Sequence, residues 1–280
     1  MNEEWTTEIK PKTGWFDINL KELFQYRDLI IMFVKRDFKT LYKQTILGPL
    51  WIIVNPLLTT IMYTIVFGNI ANIPTDGVPQ IVFYMLGTTL WTYFSTCLTK
   101  TATTFTGNVT IFGKVYFPRL VMPISTVISG LINFFVQFIM FLFFTGYFCL
   151  KGASIKPNIY IIITPFLLLQ LALLSLGFGI IISSLTTKYR DLAILVTFGV
   201  QLWMYATPIV YPVSQISGKL RTIMLLNPVS PIVETFRYAF LGSGVLSIKF
   251  LAISIVTTIV VLFIGVILFS RVEKTFMDTV

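Results

Sequence analysis

Charged residues divide this sequence into apolar runs of nearly one length, and that length is set by a lipid bilayer. A spanning helix needs about 20 apolar residues, because the hydrocarbon layer is about 30 Å thick and each residue rises 1.5 Å. Six runs meet the requirement. They lie between Lys43 and Asp76, Asp76 and Lys100, Arg119 and Lys151, Lys156 and Lys188, Asp191 and Lys219, and Lys249 and Arg271. The expected spans are near 49–69, 80–99, 122–148, 159–186, 192–213 and 250–270. Taken whole, 120–150 would be about 46 Å long as one helix. Pro123 is therefore expected to mark where a connection turns into the third span.

Composition agrees. Of the residues 55% are hydrophobic and 12% charged, against about 25% charged in an ordinary soluble domain. The chain has no histidine, which removes the commonest general base and metal ligand. Its two cysteines, Cys97 and Cys149, sit inside apolar runs, so neither a disulfide scaffold nor a metal cluster is indicated. The start, "MNEEWTTEIKPKTGWFDINL", carries acidic residues and no apolar core, so a cleavable signal peptide is not expected and the first span must serve as the insertion signal.

Six spans put both ends on one side. Lys and Arg number eight before residue 49, three at 100–119, two at 188–190 and two after 270, fifteen in all against six in the other connections. That asymmetry predicts cytoplasmic termini, with tails at 1–16 and 272–280 and a transmembrane domain at 46–271. A further stretch, "LLNPVSPIVETFRYAFLGSG" at 225–244, is apolar enough to suggest a seventh span. It holds Glu234 and Arg237, and each charge at mid-membrane costs about 2.5–3.5 kcal/mol. Those two residues stand i,i+3 and can pair on one helix face. A re-entrant helical hairpin over 220–246, shielded by protein, fits better than a span. The expected fold is all-α: six transmembrane helices, with this hairpin before the last.

Residues 17–45 form no span, since charges interrupt them throughout. Ile30, Val34, Phe38, Leu41 and Tyr42 recur on one helical face, Lys35, Arg36, Lys39 and Lys43 gather elsewhere, and Asp17 suits an N-cap. Such a helix lies in the membrane surface. It serves as a topological anchor and also as a collar admitting an anionic lipid head past Arg27, Lys35, Arg36 and Lys39.

"TFTGNVTIFGKVYFPRLVMP" at 104–123 nearly spells a phosphate-binding loop. Gly107 and Gly113 are separated by five residues rather than four, Val115 follows Lys114, and a membrane-length run precedes the stretch instead of a buried strand. ATP is not expected on this chain.

Several spans carry polar stripes at helical spacing. Asn55, Thr59 and Tyr63 mark the first, and Tyr84, Thr88, Trp91 and Ser95 the second. Ser125, Ser129, Asn133 and Gln137 mark the third, Gln201 and Tyr205 the fifth. Hydroxyls and amides often bridge packed helices, the favoured reading for the third span. On the others, mixed aromatic and hydroxyl groups suit a sugar path, since sugar rings present C–H faces to aromatic planes. Trp51, Trp91 and Trp203 fit equally as interfacial anchors. No charge lies within the six spans, which argues against an ion-coupled carrier. A membrane enzyme would need convergent carboxylates or histidine at one face, whereas Asp76, Asp191, Glu234 and Glu273 are scattered over both; Asp191 and Glu273 share the cytoplasmic side, but nothing ties them to one site.

"LGPLWIIVNPLL" at 47–58, "KYRDL" at 188–192, "YATPIVYPVS" at 205–214 and "NPVSPIVETFRYAFLG" at 227–242 together resemble the permease subunits of ATP-binding-cassette polysaccharide exporters. The resemblance covers nearly the whole chain, in order. It implies export of a lipid-linked O-antigen, teichoic acid or capsule polymer across the bacterial inner membrane. It implies a homodimer working with two copies of a separate ATPase, which carries the ATP and magnesium; membrane lipids are the other partner and nucleic acid is not. The connection between spans two and three would be a coupling helix docked on the ATPase, through Phe112, Gly113, Lys114 and Phe117. Lys188, Tyr189, Arg190 and Asp191 would form a second contact. Asn55, Thr59, Tyr63, Tyr84, Trp91, Gln201 and Tyr205 would line the path, and Asn227, Pro228, Pro231, Glu234 and Arg237 would build the re-entrant segment. A permease of the same type moving a drug or small lipid is the nearest alternative, and a nucleotide-independent channel or carrier a more distant one.

Overall fold

Long apolar stretches without glycine–proline punctuation fold as helices, since a helix alone satisfies every backbone group within its own segment. A computed structural model describes residues 20–43, 48–189 and 191–279. Among these residues all regular structure is helical. Expectations for the tail at 1–16, for Asp17 and for Arg190 lie outside the described residues.

Two surface helices come first, α1 (Leu20–Gln25) and α2 (Arg27–Tyr42). A short 3₁₀ turn leads into α3 (Trp51–Tyr63), which continues as a wider π-helical stretch to Ile70. α4 (Gln80–Ala102) returns, and two single-turn helices, α5 (Thr104–Gly107) and α6 (Val109–Phe112), form the next connection. α7 (Val121–Leu150) and α8 (Thr164–Thr186) follow as a long pair. Then come α9 (Leu192–Tyr205), α10 (Gly218–Leu226), α11 (Ser230–Leu241) and α12 (Ile248–Thr279).

Five of these segments are long and apolar enough to cross a membrane: 51–70, 80–102, 121–150, 159–186 and 248–273. The expected fifth span, 192–213, is helical only to Tyr205, and its 14 residues reach about 21 Å. Beyond it Pro208 lacks an N–H, and the Arg237 guanidinium takes the Pro208 and Ile209 carbonyls, so the helical ladder is replaced by side-chain bonds. α7 is continuous from Val121, and Pro123 sits in its first turn, where the missing N–H would have no helical partner in any case.

α4 is the centre of the bundle, with 78% of its most apolar window buried, whereas the α3 segment has 11%. α4 packs against α3, α7, α8 and α9, and α8 packs in turn on α12. A large cluster built on Phe83, Tyr84, Leu86, Phe94, Phe134 and Phe236 fills the bundle. A second cluster, of Phe33, Phe105, Phe112, Phe117, Val121, Met122, Ile180 and Phe269, closes the end that carries α2.

α2 packs along α7, on a face one step round from the one the sequence pattern suggests. Phe33 is its buried anchor while Phe38 is exposed, and Tyr26, Leu29 and Ile30 join Phe33 against the second cluster. Asp37 draws the register, bound to Arg36 at 2.8 Å and reached by the Ser129 hydroxyl of α7 at 3.4 Å.

Candidate functional site

Two cavities flank the α3–α4 contact, and the residues expected on one path are divided between them. The larger, about 570 Å³, lies among α3, α4 and α9 and is lined by Tyr63, Trp91, Gln201 and Tyr205, with the hydroxyls of Ser95, Thr99 and Thr197. Its walls carry no charge. The smaller, about 270 Å³, lies among α3, α4 and α7 and takes Asn55 and Thr59. Thr96 touches both. Tyr84 lines neither: it is fully buried beside Tyr63, ring centroids 6.4 Å apart.

The aromatic wall of the larger cavity is backed by packed rings. Trp91 stands 6.4 Å from Trp203, and Trp203 meets Phe94 and Phe178 edge-on at 5.2 and 5.1 Å. Both tryptophans pack within the bundle. Trp51 is 42% exposed. Asn227 holds Trp203 in place. Its side-chain oxygen accepts from the Trp203 indole N–H at 3.0 Å and from the Val229 N–H at 3.2 Å. Its amide donates to the Ala206 carbonyl and the Thr207 hydroxyl. Asn227 thus ties the end of α9 to the start of α11. Proline suits that start, because Pro231 falls in the first turn of α11.

α10 and α11 are joined by the turn at 227–229, and α11 is buried almost throughout. Within it Arg237 and Glu234 are both fully buried and 3.0 Å apart. Arg237 also donates to the Pro208 and Ile209 carbonyls and lies over the Phe83 ring at 3.8 Å. Glu234 uses its second oxygen on the Val245 N–H at 3.0 Å. A pair bonded to each other and to three backbone groups is tolerated in an apolar interior where a lone charge would not be, although the buried Arg237 Nε finds no partner among the described residues.

At the other end of the bundle, the α4–α7 connection folds on the chain's own apolar cluster. Phe112 and Phe117 are 6% and 5% exposed, with Phe112 against Phe105 and Phe117 against Phe33. Phe105 in turn stacks on Phe269 of α12 at 4.5 Å. The same turn leaves Gly113, Lys114, Val115 and Tyr116 on the surface. Arg119 secures it: its backbone N–H donates to a Glu273 carboxylate oxygen at 2.9 Å, and its guanidinium donates to the Glu273 carbonyl at 2.7 Å. Burial lowers the Arg119 pKa from the usual arginine value, and Glu273 opposes that shift.

The α8–α9 connection comes to the same end. The Thr186 hydroxyl donates to the Ala102 carbonyl at 2.8 Å, pinning the end of α8 to that of α4. Lys188, Tyr189 and Asp191 are exposed there, the Lys188 ammonium 5.3 Å from the Tyr189 ring centroid. On α2, Arg27, Lys35, Arg36 and Lys39 are all exposed, Arg36 being partly neutralised by Asp37.

Sequence reasoning missed two groups. Asn133 and Gln137 were assigned to helix packing, yet both line the smaller cavity, while Ser125 bonds back to the Met122 carbonyl of its own helix. The signal was available in the i,i+4 spacing of two carboxamides in a helix whose other polar side chains are small hydroxyls and one tyrosine. The Asn227 bracket on Trp203 joins residues 24 apart, and no local pattern announces it. Among the described residues no group of His, Cys, Asp and Glu could hold a metal ion.

A helical membrane bundle with an uncharged, aromatic-walled cavity between its spans, and with two exposed connections pinned together at one end, defines a membrane transport subunit. The chain belongs to the ABC-2 type transporter family, which matches residues 28–241. Among curated proteins it is similar to an O-antigen export system permease protein of Klebsiella pneumoniae, 28% identical over 93% of this chain and 96% of that protein. A protein of the same description from Myxococcus xanthus is 30% identical over 79% of this chain and 83% of its own length.

Proposed function

We propose that this chain is the membrane subunit of an ATP-driven exporter that moves a lipid-linked polysaccharide, of O-antigen type, out of the cytoplasm across the bacterial inner membrane. One observation carries the reading: the uncharged cavity of Tyr63, Trp91, Gln201 and Tyr205, in a chain similar along nearly its whole length to permeases of O-antigen export. Aromatic faces and hydroxyls hold a sugar ring weakly from several sides, so a polymer can advance without deep trapping.

The chain works as a homodimer, its termini cytoplasmic. The α3 segment is only 11% buried, α9 leaves Ile194, Leu195, Phe198 and Leu202 exposed, and a second copy would complete the cavity these helices flank. A separate ATPase, present in two copies and carrying ATP and magnesium, docks on Lys114, Val115 and Tyr116 together with Lys188, Tyr189 and Asp191. Movement imposed there reaches the spans through the packed aromatics, from Phe112 to Phe105 and on to Phe269 of α12. The basic residues of α2 meet the anionic head of the lipid carrier, and α10–α11 re-enters the outer side of the membrane.

The test is reconstitution of the chain with its ATPase in vesicles. Undecaprenyl-linked glycan is expected to accelerate ATP hydrolysis and to appear on the far side only with nucleotide present. Stimulation by drugs and indifference to every glycan would overturn the substrate; transport by this chain alone would overturn the mechanism.

A further inference from the structure

The cavity among α3, α4 and α7 adjoins the proposed path at Thr96, and carboxamides and hydroxyls line it. Gln137 is 7% exposed and lines it, yet its carboxamide meets no hydrogen-bond partner among the described residues. The carboxamide opens on the cavity instead, so its donors and acceptor are available to a ligand there, which a leucine at the same place could not offer. Facing it across about 270 Å³ are the Asn55 carboxamide and the Thr92 and Thr96 hydroxyls, with the Trp51 and Phe134 rings beside them. No lining residue is charged. These groups lie in the half of the bundle nearer α2: α3 starts at Trp51, and Asn55 is about 6 Å up its axis.

We infer that this cavity is a binding site for the neutral, hydroxyl-bearing headgroup of a membrane amphiphile, a single sugar ring on a lipid chain. Gln137 and Asn55 supply both donors and acceptors, Thr92 and Thr96 match ring hydroxyls, and the exposed Trp51 offers a plane to the C–H face. A zwitterionic or anionic head would find no counter-charge there. The volume is at the lower edge of the roughly 300–1,000 Å³ usual for ligand pockets, so it takes one ring and not a chain. The site goes beyond the export reading and does not depend on it, since occupancy needs neither nucleotide nor the ATPase.

The test uses the full chain in phosphatidylcholine nanodiscs with an alkyl β-glucoside carrying a photoreactive diazirine beside its head, read by mass spectrometry of labelled peptides. Label is expected on residues 88–96 and 130–137, displaced by octyl β-glucoside and not by octyl phosphocholine. Free glucose is the third competitor. Displacement by it at the same concentration would show that the ring is taken from water and would overturn the lipid-borne source. Gln137→Leu is expected to lower labelling about tenfold, as loss of one or two buried hydrogen bonds implies. Thr92→Val, at an exposed and isosteric position, is expected to lower it several-fold with the unfolding midpoint unchanged, and it decides the matter if the glutamine variant does not fold. Equal displacement by both detergents, label outside these helices, or full labelling in folded Thr92→Val would each overturn the site. Absence of export by the chain reconstituted with its ATPase, with labelling intact, would count against the export reading alone.

Discussion

The Arg237 guanidinium lies 3.0 Å from a Glu234 carboxylate oxygen, and neither side chain meets solvent. The pair is less an ion pair than a bracket, because Arg237 also holds the Pro208 and Ile209 carbonyls and Glu234 the Val245 N–H. Three segments of chain, after α9, within α11 and before α12, are fixed by two side chains. Glu234→Ala leaves a buried cation unpaired, and breaking one side of such a pair costs about 3–5 kcal/mol. Glu234→Gln retains an acceptor for Arg237 and loses less. Unfolding midpoints in detergent are expected to fall in the order wild type, Glu234→Gln, Glu234→Ala. A Glu234→Ala protein as stable as wild type would remove the bracket.

The α4–α7 connection separates what stabilises from what couples. Phe112 is buried in the second cluster, so Phe112→Ala is expected to cost about 3–5 kcal/mol. Lys114→Ala with Tyr116→Ala touches only exposed side chains and is expected to leave stability within about 0.5 kcal/mol while export fails. Tyr189→Ala with Arg190→Ala is expected to do the same. The measurements are unfolding midpoint, membrane abundance and polymer at the cell surface. Normal surface polymer in both double variants would sink the docking assignment.

These two sites mark where the sequence was legible. Glu234 and Arg237 could be paired in advance, because i,i+3 spacing on a helix brings two side chains together whatever surrounds them. The order of the apolar runs was legible because the bilayer's thickness acts on each run separately, but their count was not: five segments reach spanning length, and the run after Asp191 is helical only to Tyr205. Which way an apolar side chain faces was not. Lipid and protein interior are alike apolar, so Phe112 and Phe117 read as outward knobs when they face inward, and Phe38 read as the packed face of α2 when Phe33 is. Asn55, Thr59 and Tyr63 share one stripe of α3, yet the stripe turns past α4 and its ends open into different cavities.

Close helix contact makes a third prediction. A Cβ on Gly265 of α12 would lie 2.9 Å from the Gly177 carbonyl of α8 and 2.7 Å from Ile180 Cγ1. A Cβ on Gly177 would lie 3.0 Å from the Leu262 backbone nitrogen. Without a hydrophobic force between helices in lipid, backbone proximity of this kind supplies the packing energy. Gly265→Val is expected to destabilise by about 1–3 kcal/mol through overpacking. Gly146 of α7, where nothing lies within 4 Å of the added carbon, is the control, and Gly146→Ala is expected to be neutral or to gain up to about 1 kcal/mol of helix propensity. Equal midpoints for the two variants would mean that α8 and α12 are not held by this approach.

The bracket of Asn227 on Trp203 links the α10–α11 turn to the wall of the proposed path. Removing it frees the Trp203 indole N–H, the Val229 N–H and the Ala206 carbonyl together. An unmade buried bond costs about 1–3 kcal/mol, and these half-buried groups lose less because water reaches them, least of all the exposed Ala206 carbonyl. Trp203 packs on Trp91, and Tyr205, two residues further along α9, lines the same cavity as Trp91, so the wall should loosen where the polymer passes. Asn227→Asp keeps the acceptor for both N–H groups and loses the donor to Ala206 and Thr207. Its stability is therefore expected between wild type and Asn227→Ala. The Trp203 contribution to fluorescence, taken as the difference from a Trp203→Phe protein, is expected to shift to the red in Asn227→Ala and little in Asn227→Asp. If Asn227→Ala changes neither the emission nor the midpoint, the turn does not hold the wall, and any loss of export in that variant must arise elsewhere.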